Sequence, residues 1–75
     1  MMETEYCRKY IKYYWFDKTQ YGILTSITYH KHMNYYTIMK FHDKDSYHII
    51  AFFAWPQQIE EISKKEYLVG QIIDS

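Results

Sequence analysis

Cysteine, proline and glycine are nearly missing from this 75-residue chain, which holds one, one and two of them. Because Cys7 stands alone, no disulfide can close within the chain. A lone thiol fits a reducing compartment, and Met1–Lys9 holds no apolar run of the kind a secretory leader uses. A cytoplasmic location is therefore expected, that of the host cell if the gene belongs to a phage. Gly22 and Gly70 are too far apart to build a phosphate-cradling loop. No stretch approaches the ~20 apolar residues of a membrane-spanning helix, so no membrane partner is expected. Net charge is zero, which weighs against non-specific binding to nucleic acid.

Aromatic residues are what the chain has instead: ten Tyr, four Phe and two Trp, 21% of all residues. A domain of this size buries only ~60% of its unfolded surface. Each ring can bury ~150–250 Å², so a few rings replace the aliphatic residues that are scarce. The charge is uneven: residues 1–40 carry an excess of Lys and Arg, and residues 41–75 an excess of Asp and Glu. Ile, Lys, Tyr and Phe, which have AT-rich codons, greatly outnumber Gly, Ala, Arg and Pro. That bias fits an AT-rich source such as a phage or mobile element.

No repeat, linker or compositional boundary divides the chain, so residues 1–75 read as a single domain. Tyr47–Trp55 is the one long stretch without charge, Gly or Pro, and it reads as a strand covered on both faces or nearly so. Tyr10–Phe16 reads as a strand by residue type, with a helix over 4–14 as the alternative. Ile23–Lys31 alternates, and its odd face (Ile23, Thr25, Ile27, Tyr29) is the more apolar. Tyr35–His42 follows after a three-residue loop that sets Ile27 opposite Met39. A five-residue loop, 43–47, then sets Phe41 opposite Ile49. Trp55-Pro56 stops the sheet. Gln57–Glu66 reads as a helix with Glu60–Lys64 and Glu61–Lys65 pairs, and Tyr67–Ile73 as a last strand, unless the helix runs on to Val69 and Gly70 ends it. The expected fold is α+β: a mostly antiparallel four- to five-stranded sheet with one short helix after Pro56. Tyr29, Phe41, Phe53 and Trp55 are the expected buried rings.

Chemistry-bearing groups are sparse. His30 and His32 share a strand face, and His42 faces His48, but this register parts the two pairs by roughly 20 Å. No metal and no cofactor is expected. Cys7 has cationic neighbours, Arg8 and Lys9, but no base that the sequence identifies. Asp43 and Asp45 fit turn chemistry, and Glu60 and Glu61 a solvated face. The chain is not expected to be an enzyme. What stands out is aromatic residues interleaved with cations: Arg8, Lys9, Tyr10, Lys12, Tyr13 and Tyr14, then His30, His32, Tyr36 and Lys40. Such residues suit a protein interface or single-stranded nucleic acid. The expectation is a small non-catalytic inhibitor, phage- or mobile-element-encoded and of anti-CRISPR type, masking a larger host protein or nucleoprotein complex. Its grip is an aromatic and basic patch or a sheet edge. A single-stranded nucleic-acid-binding module is the alternative, and a homodimer is compatible with either.

Overall fold

The ring-rich N-terminal segment is a strand, as its Tyr, Ile and Trp content favours, and not the alternative helix over 4–14. The computed structural model describes residues 3–74, with side chains through Ile72. Met1 and Met2, where the leader question begins, lie outside them. Five antiparallel strands form one sheet: β1 (Glu3–Trp15), β2 (Lys18–Tyr29), β3 (Asn34–Asp43), β4 (Ser46–Ala54) and β5 (Ile59–Glu61). Their spatial order is β4-β3-β2-β1-β5, and a helix, α1 (Lys64–Asp74), follows. The α+β architecture read from the sequence is thus present.

The sheet is strongly curled. β1 and β4 lie three positions apart in strand order, which in a flat sheet is ~14 Å at ~4.8 Å per strand. Yet the Phe52 ring sits 5.4 Å from Tyr13 and 5.1 Å from Trp15. Ile11, Tyr13, Leu24, Tyr36, Ile38 and Ala54 fill the concave side as the buried core. Gly22 joins them because Ile38 leaves no room for a side chain there: a Cβ would meet Ile38 Cγ2 at 2.5 Å.

Two bulges set which residues of β1 and β2 face inward. One lies between Tyr6 and Lys9 of β1, the other between Leu24 and Ser26 of β2. Before the second bulge, Gly22 and Leu24 point to the core; beyond it, Ile27 packs against the core. An inserted residue reverses the alternation, so the expected odd-numbered face of β2 does not exist as one surface. The register differs as well, because the β2–β3 loop is the four residues 30–33 and not three: Ile27 opposes Tyr36, not Met39, and Tyr29 opposes Asn34. Between β3 and β4 the loop is Lys44-Asp45 alone, closed by an Asp45 N–H donating to Asp43 Oδ1 at 2.8 Å. A further irregularity between Phe41 and Asp43 leaves His42 as an extra residue, so Phe41 opposes Tyr47, not Ile49, a slip of two that preserves the faces.

The C-terminal third differs most from the sequence reading. Pro56–Gln58 is a single 3-10 turn, Ile59–Glu61 is β5 on β1, and the helix begins only at Lys64. Residues 57–66 are therefore not one helix, and 67–73 are helix, not strand. Lys9 and Lys12 of β1 draw Glu61 and Glu60 into strand pairing, at 3.6 and 3.5 Å. Ser63 supplies the helix start, its Oγ accepting the Glu66 N–H at 3.1 Å. α1 lies on the convex face. Tyr67 packs on Tyr10 with ring centroids 4.9 Å apart, and Gly70 lies beneath the Tyr21 ring.

Candidate protein-binding surface

Because α1 covers β1 and β2, it leaves the convex face of β3 and β4 bare. β4 ends the sheet, so the Tyr47–Trp55 run is an edge and not a covered centre. Alternation places Ile50, Phe52 and Ala54 toward the core, and Tyr47, Ile49, Ala51 and Phe53 outward. Tyr47, Ile49 and Phe53 are 53, 58 and 54% exposed. Half-buried Tyr35 and Phe41 on β3 extend this row, with ring contacts Tyr35–Phe53 at 4.8 Å and Phe41–Tyr47 at 5.5 Å. His30 meets Phe53 edge to face at 5.0 Å. The expectation that Tyr29, Phe53 and Trp55 are buried fails, since all three are at least 40% exposed; Phe41 is only half-buried. Phe41 and Phe53 alternate out of phase with the core residues of their strands, whereas Tyr29 shares the face of Ile27 and is exposed at the end of β2.

Phe16 adds a second feature. It occupies the two-residue turn between β1 and β2 at φ 58, and it is 87% exposed. A bulky residue in the left-handed region is uncommon and costs ~1–2 kcal/mol. Trp15 beside it is half-exposed, and Trp15 touches Phe52, so Trp15 meets β4 from the concave side, across the strand from the bare row.

The expected partner-binding residues do not form one patch. Tyr13 and Tyr36 are buried, the second accepting a hydrogen bond from Asn34 Nδ2 at 3.1 Å. Burial pushes the Tyr13 phenol up to about 12. Tyr10 lies under α1, while Arg8 and Tyr14 are exposed. Lys9 pairs with Glu61, and Lys12 with both Glu60 and Glu66. The Glu66 hydrogen bond and the two carboxylates raise the Lys12 pKa. Lys40 lies on the concave side, donating to Gln20 Oε1 and standing over the Tyr13 ring. His30 and His32 are exposed.

Two open concavities accompany the sheet. One, about 640 Å³, runs between α1 and β3 past Tyr21, Phe41 and Leu68; the other, about 420 Å³, opens beside Trp15, Lys40 and Phe52. Cys7 is near neither; its Sγ donates to the Leu24 carbonyl at 3.6 Å, and burial raises its pKa, which keeps the thiol protonated. His42 and His48 do meet, rings stacked at 4.5 Å and Nε2 to Nδ1 at 2.6 Å. Among the described residues no group of three His, Cys, Asp or Glu could hold a metal ion, and no helix is long and apolar enough to cross a membrane.

No protein-family model, curated protein or solved structure matches the chain. The surface's own chemistry is what speaks for its use. Phe16, Tyr47, Ile49 and Phe53 escaped the sequence reading. The signal was present: a nine-residue strand without a Lys or Pro to blunt it looks the same whether central or at an unprotected edge.

Proposed function

We propose that this protein is a small non-catalytic binding protein that masks a surface of a larger partner protein. The observation that carries this reading is the bare convex face of β3 and β4, where Tyr47, Ile49 and Phe53 stand exposed beside an unpaired strand edge. Exposed apolar residues that cluster, unlike scattered ones, mark interaction sites. Strand edges add main-chain hydrogen bonds to that grip. Phe16 supports the same reading, because a strained turn holds a large ring in water. The glutamates on Lys9 and Lys12 occupy cations that nucleic acid would need, which favours a protein target. The AT-rich-type composition supports a phage or mobile-element origin, and an anti-defence inhibitor such as an anti-CRISPR protein, acting in the host cytoplasm, is the concrete form proposed.

Affinity capture from a bacterial lysate tests this, comparing wild type with an Ile49→Ser/Phe53→Ser variant of the same thermal stability. A protein held by wild type and lost by the variant is the expected result. Recovery of nucleic acid alone, or equal capture by both, would refute the proposal.

A further inference from the structure

The two edges of the sheet are built differently. At one, β5 is three residues long and carries Glu60 and Glu61. The stretch of β1 beyond it holds Glu5, Arg8, Lys9 and a bulge. Short length, charge and bulges are the devices that stop strands from pairing with strangers. β4, at the other edge, has nine residues and none of these devices within it: no Asp, Glu, Lys, Arg, Pro or Gly. We propose that β4 pairs antiparallel with β4 of a second copy about a two-fold axis, joining two five-stranded sheets into one of ten.

Charge permits this partner in any register, since β4 sets no fixed like charges against themselves. Where the outer rows face each other, Tyr47, Ile49, Ala51 and Phe53 lie beside the same residues of the copy, and apolar cross-strand pairs stabilise a sheet. Each chain offers one such edge and the opposite edge is blunted, so the pairing closes at two copies and does not propagate. The dimer takes up the β4 edge and places the two bare convex faces side by side, so in the dimer the proposed partner is held by those faces and not by the edge. The inference does not need that partner.

Sedimentation equilibrium on the purified chain over a wide concentration range tests it. Wild type should approach twice 9.4 kDa. Ile49→Lys and Ala51→Lys should remain monomeric at concentrations where wild type is dimeric, with unchanged circular dichroism. A wild-type monomer at every concentration up to about 1 mM would overturn the dimer and leave the capture experiment intact. So would a dimer that survives in both lysine variants. Should the variants unfold, amide hydrogen exchange on wild type decides: slowing with concentration within 46–54 supports the pairing, and slowing elsewhere or nowhere overturns it.

Discussion

Raising the pH should destabilise this fold through Tyr13, a residue that the sequence offers for grip and the structure puts in the core. Its side chain is 2% exposed, and burial pushes the phenol from 10.0 up to about 12. The sign follows from which state ionises first. The unfolded chain loses the Tyr13 proton near pH 10 and the folded chain only near 12, so ionisation favours unfolding. The stability due to this group is complete below pH 10 and is lost as pH rises through 12. Two-state linkage gives a loss of ~1.4 kcal/mol at pH 11 and at most ~2.7 kcal/mol well above pH 12. Domains hold ~0.05–0.15 kcal/mol per residue, or roughly 4–11 kcal/mol here, so the loss is measurable. Denaturant unfolding followed by near-ultraviolet circular dichroism, at pH 8 and pH 11, is the assay. Tyr29, Tyr67 and Cys7 also have raised pKa values, from hydrogen bonding to Glu5 in the first case and from burial in the others. They act equally in wild type and in Tyr13→Phe and cancel in the comparison. The fall in stability between the two pH values should be smaller in Tyr13→Phe by ~1.4 kcal/mol. An identical fall in both proteins would place the Tyr13 hydroxyl in solvent and refute the core assignment.

Gly22→Ala should destabilise by ~1–3 kcal/mol in denaturant unfolding, because the new methyl overpacks the site. It would stand 2.5 Å from Ile38 Cγ2 and 3.3 Å from the Met39 carbonyl oxygen. Phe16→Asn should leave stability unchanged or raise it by ~1 kcal/mol, since Asn tolerates the left-handed region better than Phe. The same variant should capture less partner, a combination that separates a binding role from a structural one.

Residue type and alternation made the strands legible, β1 to β4 and their antiparallel order included, because both are local properties. Inward and outward assignments failed where bulges intervened. The extra residue near Thr25 reverses the pattern between Leu24 and Ile27, and no residue at that position announces it. Glu60 and Glu61 misled for a related reason. Their spacing to Lys64 and Lys65 is helical, but Lys12 and Lys9, about fifty residues away, are the partners they meet. The start of α1 was readable, as Ser63 followed by Glu66 has the spacing of a helix cap. The candidate surface was half-legible. The 47–55 run was conspicuous, but whether such a strand ends central or at an edge depends on strand order, which β5 and α1 decide by settling on β1.

Hydrogen exchange of the chain alone, at a concentration low enough to keep it monomeric, and in complex with its captured partner tests most directly whether the bare half of the sheet is what binds. Slowed exchange at Ser46–Ala54 and at Trp15 and Phe16, with Arg8–Tyr14 and α1 unchanged, is the predicted footprint. Protection confined to Arg8–Tyr14, with β4 exchanging as in the free chain, would contradict it.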